Sequence, residues 1–443
     1  MKNDLIEGHV GKSILYFTIP LLIGNFFQLL YNTVDSYVVG NYVSPDALAA
    51  VGQSTPIINV IVGAFLGLST GAGVVISQYY GAKDDKRMSL AVHSAAALTL
   101  VLCMIFTIIG ILVARPILEL IRSPQSIMTL ATLYLKIYFY GVSFVLIYNM
   151  GSGILRAIGD SKRPLYYLAI SSLANVIFDF VFVLYLHLGV AGVAYGTLIS
   201  QGLSALFVVV RLLRVKANYR INVSQIHFNR HMTKRIIQIG VPTAIQNCIV
   251  SFSNVWSTSY INRFGANAVA GYAAYTKIDQ FVILPVQSFS LAITTFVGQN
   301  VGAKKYERVK KGIRQTLIMN EIIAFLFMVG LFFFGHRIIG LFTKQPEVIE
   351  SGFLMAKVMC AGYIVIPITN ILAGALRGVG ISKIPMYTMV GCYVVIRQIY
   401  LAIAYHFVHS IVVVYLGWPL TWVICAILLV VYFKKANWLA HHQ

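Results

Sequence analysis

Two carboxylic acids stand inside long apolar stretches of the sequence. Asp35 lies in LYNTVDSYVVG and Asp179 in NVIFDFVFV, and neither has a basic residue within a helical turn. A charge at the centre of a membrane helix costs about 2.5–3.5 kcal/mol, so each acid needs a function or a partner. Asn175 precedes Asp179 by four residues and shares its helical face. A structural interpretation is also open, in which each acid hydrogen-bonds a neighbouring helix.

The composition shows what kind of chain must position these acids. Of 443 residues, 58% are hydrophobic and 11% are charged, and the mean hydropathy is +0.79. Soluble domains average about 25% charged residues, so a soluble fold is excluded. The net charge of +20 comes from short basic tracts between apolar runs. This pattern argues against a nucleic-acid-binding face and is typical of loops at a membrane surface.

Apolar runs long enough to cross a bilayer as helices recur along the whole chain. They predict an all-α membrane protein with twelve spans, near residues 14–39, 48–78, 88–114, 125–150, 163–187, 190–213, 236–261, 267–299, 310–339, 347–373, 385–408 and 410–433. The terminal segments and every second loop carry 25 basic residues, against 5 in the other loops. The positive-inside rule therefore predicts a multi-pass protein of the plasma membrane with both termini in the cytoplasm.

An internal repeat divides the spans into two sets of six. At one constant offset along the chain, QYYGAKDDKR from Gln78 matches QNVGAKKYER from Gln299, and GILRAIGDSKRP from Gly153 matches GALRGVGISKIP from Gly374. We predict an N-terminal lobe (1–213), a basic cytoplasmic linker (214–235) and a C-terminal lobe (236–443). Six spans per repeat relate the lobes by a pseudo-two-fold axis along the membrane normal, an architecture that suits alternating access.

The repeat is broken where the acids lie. At the same offset, Asp179 falls opposite Tyr400, Asn175 falls opposite Ile396, and Asp35 falls opposite an uncharged residue. The sequence therefore predicts that only the N-terminal half keeps these acids.

Catalytic motifs are not found in the sequence. GKS at residues 11–13 lacks the first glycine of a phosphate-binding loop, and neither HExxH nor GxSxG occurs. The five cysteines show no CxxC spacing, which excludes a zinc site of that type. We do not expect an enzyme or a bound cofactor.

The chain resembles the multidrug and toxic compound extrusion (MATE) transporters over nearly its whole length. The resemblance is carried by IPLLIGNFFQLLYNTVDSYVVG, by the Gly-Ala pair after span 2 and again after span 8, and by LRAIGDSKRP. It implies export of small amphipathic, often cationic compounds in exchange for H⁺ or Na⁺.

The resemblance also implies site residues, because the chain is similar to the prokaryotic damage-inducible branch. That branch uses an acidic pocket in the N-terminal lobe, and its motif residues fall here on Asp35, Asn175, Asp179 and Thr197, with Tyr31 one turn before Asp35. We expect Asp35 and Asp179 to bind the coupling ion, H⁺ or Na⁺. We expect Asn175 and Thr197 to supply neutral oxygens. Two carboxylates close together in a low dielectric cannot both stay ionised cheaply, so the pair should take up a proton as a unit.

Further expectations concern the substrate and the moving parts. The substrate cavity is expected to include Tyr31, Tyr138, Tyr140 and Arg397. Pro20 is a candidate hinge because proline cannot donate a backbone hydrogen bond, although its counterpart Pro242 equally suggests that both prolines only shape their helices. We expect a monomer in the lipid bilayer that binds small molecules and no nucleic acid.

Four basic residues lie within predicted spans and leave a second function open. They are Lys136, Lys277, Lys357 and Arg397. Lys277 is expected to reach the membrane surface or to pair with Asp279, whereas Arg397 needs a partner or water. Together they suggest an anionic substrate, so the alternative function is a flippase of lipid-linked precursors with the same architecture.

Overall fold

The computed structural model describes residues 4–436 and 438–439, and these residues form helices joined by short connections without any strand. The predicted all-α class is confirmed, and twelve spans are present when one bent helix pair is counted as a single span. The spans are Val10–Tyr42, Pro45–Gly81, Asp85–Leu120, Gln125–Ala157, Lys162–Tyr185, Val190–Arg214, Arg230–Phe264, Ala266–Gly302, Tyr306–Ile339, Pro346–Tyr363 with Ile366–Val379, Lys383–Phe407 and Ile411–Lys435, numbered 1 to 12 in this order.

Four spans depart from a regular α-helix. Span 7 ends in a 3-10 turn, Asn262–Phe264. Span 10 bends by 48° between its two helices. Span 5 ends in a π-helical stretch, Val181–Tyr185, just after Asp179. Span 11 contains another, Gly391–Ile396, just before Arg397. Such wide turns are often found at functional sites, so both stretches point to the residues beside them.

The internal repeat is also visible in the turns between spans. Lys83 and Lys304 both have φ 57°, and Gly159 and Gly380 have φ 91° and 103°. The members of each pair are separated by the same offset that relates the two halves of the sequence. The left-handed region is unfavourable for most side chains, so its use at matching places shows that both halves close these turns in the same way.

The chain packs as two compact units, Ile19–Ala244 and Met1–Thr18 with Ile245–Gln443. The unit boundaries fall inside spans 1 and 7, close to Pro20 and Pro242, and therefore differ from the bounds of the predicted lobes. Residues 1–3, 437 and 440–443, which include both predicted cytoplasmic ends, lie outside the described residues.

In the unit Ile19–Ala244, called here the N-terminal unit, the start of span 7 packs tightly on span 2. A Cβ atom on Gly67 would lie 2.3 Å from the backbone nitrogen of Ala244, and one on Gly71 would lie 2.6 Å from Gly240 Cα. The two helices can approach this closely because these positions carry no side chain.

The basic linker also packs on the N-terminal unit. The backbone N–H of Asn222 donates to His93 Nε2 over 3.0 Å, and Arg235 donates to Tyr79 Oη over 2.6 Å and to Gln78 Oε1 over 2.7 Å.

In the other unit, called here the C-terminal unit, the start of the chain is held by side chains of spans 8 and 9. Asn300 Nδ2 donates to the carbonyl of Leu5 over 3.1 Å, and Arg308 donates to the carbonyls of Leu5 and Gly8. These donors satisfy carbonyl groups at the end of the short helix Asp4–Glu7.

Candidate functional site

The predicted ion-coupling residues all lie in the N-terminal unit, on spans 1, 5 and 6. Asp35, Asn175, Asp179 and Thr197 are buried, and Asp179 is fully shielded at 0% exposure. An apolar cluster with members on spans 1, 2, 4, 5 and 6 packs in the same part of the unit. The carboxyl groups therefore lie in surroundings of low dielectric, where an uncompensated charge is costly.

The structure brings the four side chains together. Thr197 Oγ1 donates to Asp35 Oδ2 over 3.4 Å, and the carboxyl group of Asp35 also lies next to the side chains of Asp179 and Asn175. A carboxylate can accept hydrogen bonds but cannot donate one, so two ionised carboxyl groups cannot satisfy each other. The two carboxyl groups can be satisfied together only when a proton or another cation binds to them.

Several polar atoms of the cluster make no hydrogen bond within the described part of the chain. They are Asp35 Oδ1, both oxygens of Asp179, and both terminal atoms of Asn175. Buried polar atoms are hydrogen-bonded in the great majority of cases, so a group of orphaned oxygens needs an explanation. Carboxylate, amide and hydroxyl oxygens suit a hard cation, and the same carboxylates suit a proton. The residues present therefore fit either coupling ion.

Two further polar side chains belong to this region. Gln201 Nε2 donates to Tyr31 Oη over 3.2 Å, which joins spans 6 and 1. Tyr134 of span 4 is buried and lies within electrostatic range of both Asp35 and Asp179. Neither Gln201 nor Tyr134 belongs to the motifs that predict the site. Gln201 lies one turn after Thr197, so helical spacing from that predicted site residue was the available signal.

Span 6 can approach Asp179 because residue 196 is glycine. A Cβ atom there would lie only 2.3 Å from Asp179 Oδ1. The next residue, Thr197, supplies the hydroxyl that contacts Asp35. Gly196 therefore lets one short segment of span 6 serve both acids.

The predicted substrate-cavity residues are divided between the two units. Tyr138 and Tyr140 are two positions apart on span 4 and so face different directions. Tyr138 packs on an apolar cluster, and Tyr140 is 61% exposed. Arg397 belongs to the C-terminal unit, where its side chain is buried.

Acids also lie inside spans of the C-terminal half, although the counterparts of Asp35 and Asp179 there are uncharged. Asp279 lies in span 8 and accepts hydrogen bonds from Tyr275 and Tyr363, and Glu321 lies in span 9 with its Oε1 orphaned. Lys277 is exposed, and Asp279 is bound by these tyrosines. The sequence pattern indicates Asp279 only as a partner for Lys277, and the fold shows the two tyrosines that bind it instead.

Comparisons with known proteins agree with this architecture. The sequence model of the MatE family matches residues 20–181 and again residues 242–403. These stretches are equally long and begin at Pro20 and Pro242, which confirms the internal repeat. The chain is 27% identical over 436 residues to the probable multidrug resistance protein YoeA of Bacillus subtilis, covering 96% of this chain and 94% of that protein.

A second relative and a solved structure are also similar to this chain. The multidrug export protein MepA of Staphylococcus aureus is 25% identical over 379 residues, covering 84% of this chain and 82% of that protein. A solved MOP superfamily transporter from Pyrococcus furiosus has the same fold, with a TM-score of 0.92 at 24% identity, over 98% of this chain and 97% of that one. Because the family model matches more than half of the chain, in both of its repeats, the chain belongs to the MATE family of membrane transporters.

Proposed function

We propose that this chain is a secondary antiporter of the plasma membrane that exports small amphipathic, mainly cationic compounds in exchange for H⁺ or Na⁺. The observation that carries the proposal is the buried set of orphaned oxygens on Asp35, Asn175 and Asp179. The similarity to proteins named for multidrug resistance and multidrug export supports the substrate class.

In the proposed mechanism, Asp35 and Asp179 take up the coupling ion together. Thr197 and Asn175 complete its shell of oxygens, since both lie beside Asp35. Uptake neutralises charge between spans 1, 5 and 6 and changes the electrostatic energy of their packing. Pro20 on span 1 is a candidate hinge for the resulting movement. Its counterpart Pro242 supports the alternative, in which both prolines only shape their helices.

The available energy is sufficient for drug export. One proton that enters down about 100 mV and one pH unit releases about 3.7 kcal/mol. This would sustain roughly a 500-fold gradient of an uncharged substrate.

The proposal is tested in proteoliposomes with imposed proton or sodium gradients. The variants are Asp35→Asn and Asp179→Asn, with Asp46→Asn as control because Asp46 is an exposed acid at the start of span 2 of the same unit. We expect both site variants to lose gradient-driven efflux by about tenfold or more, which corresponds to ~1.4 kcal/mol, while the control transports normally.

Full gradient-driven efflux in both site variants would refute ion coupling at these acids. The imposed gradient that drives wild-type efflux identifies the ion. In cells, expression should raise resistance to ethidium-like dyes, and an uncoupler should abolish that resistance if the ion is H⁺. A flippase would instead be required for envelope growth and would give no dye resistance.

A further inference from the structure

Arg397 is a fully buried cation inside span 11. Its side chain is 1% exposed and is among the largest buried side chains in the described residues. Arginine stays protonated in proteins, so the charge cannot be removed by titration. A buried charge is costly unless it is paired, so the burial of Arg397 requires an explanation.

The hydrogen bonds of Arg397 are all to neutral oxygens. Nη1 donates to Asn254 Oδ1 over 2.9 Å, and Nε and Nη2 donate to Thr421 Oγ1 over 3.3 Å and 3.2 Å. Three hydrogen bonds use three of the five N–H groups of a guanidinium. No carboxylate forms an ion pair with Arg397 in the part of the chain that the structure describes.

The surroundings of Arg397 fix the guanidinium in place. The hydroxyl of Thr421 donates to backbone carbonyls of its own helix, at 2.8 Å for Gly417, so its lone pairs are left for the arginine. The rings of Tyr393 and Trp418 lie 5.4 Å and 5.2 Å from the guanidinium carbon. A guanidinium held by hydrogen bonds beside aromatic rings is preorganised for an anion, because its fork of donors matches a carboxylate.

The repeat shows that equivalent spans carry charges of opposite sign in the two halves. At the offset that relates Gln78 to Gln299, Arg397 falls opposite Val176, next to Asn175 of the acidic cluster. Asn254 and Thr421 lie on spans 7 and 12, the counterparts of spans 1 and 6. Three equivalent spans therefore hold an acidic cluster in one half and one buried arginine with neutral partners in the other.

The other basic residues inside spans differ from Arg397. Lys136, Lys277 and Lys357 are all exposed, and the ammonium group of Lys357 lies over the ring of Phe353. Exposed lysines can extend to the membrane surface, so they need no ligand. Arg397 alone among these four carries its charge into the interior.

We propose that Arg397 is the anion-recognition residue of the C-terminal unit and that it binds the carboxylate of zwitterionic cargo. The inference rests on the proposed export function and specifies a substrate class for it. Asn254 and Tyr272 are only partly buried, and Tyr272 lies 6.4 Å from Trp418 between ring centroids. Asn254 and Tyr272 therefore lie between the buried guanidinium and the surface of the unit, and we expect a ligand to approach from this side.

The test compares an amphipathic aryl carboxylate that also carries an amine with its primary carboxamide. The two compounds have nearly the same shape and differ in the negative charge. Binding to the purified protein is followed by quenching of tryptophan fluorescence, because Trp418 lies beside Arg397, and transport is measured in proteoliposomes. The variants are Arg397→Gln, Arg397→Lys and Thr421→Val. The control is Arg263→Gln, because Arg263 stacks on Tyr260 and Tyr405 but is exposed.

We expect Arg397→Gln to weaken binding of the carboxylate about 30-fold, because a charge-assisted hydrogen-bonded pair is lost. Binding of the carboxamide should change less than about threefold. Arg397→Lys should restore part of the carboxylate affinity, since it keeps the charge without the fork. Thr421→Val should give an intermediate loss, and it decides the question if Arg397→Gln does not fold.

An equal loss for both compounds would assign Arg397 a purely structural role and overturn the inference, as would unchanged carboxylate binding. If wild-type protein exports the carboxamide under a gradient but neither binds nor exports the carboxylate, the inference fails and the proposed function stands. If the carboxylate binds in an Arg397-dependent way but neither compound is exported, the proposed function fails and the anion site stands.

Discussion

At the scale of single residues, the geometry of the proposed ion site depends on Gly196 as well as on the acids Asp35 and Asp179. Gly196 leaves space for the carboxylate of Asp179, while its neighbour Thr197 contacts Asp35. A side chain at residue 196 would push Asp179 away from the other oxygens. The environment of the acid, and not only its presence, should therefore decide whether an ion binds.

We predict that Gly196→Ala lowers gradient-driven efflux by about tenfold or more, or ~1.4 kcal/mol. The added methyl group would meet Asp179 Oδ1 at 2.3 Å, which requires the carboxylate to move. The control is Gly202→Ala on the same helix, where a Cβ would meet the ring of Phe144 at an ordinary 3.5 Å. Efflux is normalised to the amount of protein in the membrane, and equal activity of the two variants would contradict the assigned role of Gly196.

At the scale of helices, spans 2 and 7 are held together by backbone contact. Gly71 meets Gly240 and the carbonyl of Ile236, so the two helices touch along surfaces that carry almost no side chain. Dispersion between closely packed backbones drives such association in a membrane, because lipid gives no hydrophobic contrast. This contact attaches the start of span 7 to the N-terminal unit.

We predict that Gly71→Ala destabilises the protein by about 1–3 kcal/mol, the usual range for overpacking. Its Cβ would lie 2.6 Å from Gly240 Cα, and backbone atoms cannot rotate away. Gly52→Ala on the same span is the matched control, since nothing lies within 4 Å of its Cβ. Thermal unfolding of the purified protein is the measurement, and identical transitions for both variants would show that the helices are free to separate.

At the scale of the whole molecule, the distribution of basic residues determines the predicted orientation. Loops with basic tracts face the cytoplasm under the positive-inside rule. The left-handed turns at Lys83 and Lys304 lie in two such loops, so both repeats place the same turn on the same predicted side.

We predict that Lys344→Cys reacts with a membrane-impermeant maleimide in intact cells and that Lys216→Cys reacts only after the cells are opened. Lys344 lies between spans 9 and 10, and Lys216 lies in the basic linker. The unsubstituted protein gives the background, because four of its five cysteines are buried. The reverse labelling pattern would show that the protein has the opposite orientation in the membrane.

Much of this protein follows from its sequence. Spans are local features, because every backbone group in a bilayer must be satisfied within its own helix and a run of apolar residues therefore fixes the helix. The internal repeat and the acids Asp35 and Asp179 can likewise be read directly from the sequence. The helical spacing of Asn175 from Asp179 predicted a shared face, and both side chains are indeed buried beside the same partner.

The tertiary structure decided which side chains meet. Only packing between distant spans shows that Asp279 is held by Tyr275 and Tyr363, that Arg397 has neutral partners on spans 7 and 12, and that the oxygens of Asp179 remain orphaned. Hydropathy determines that a helix spans the membrane, whereas its rotation and its neighbours depend on contacts among residues far apart in the chain. For that reason the sequence determined the elements and the charged residues, and only the fold determined which charges are left for a ligand.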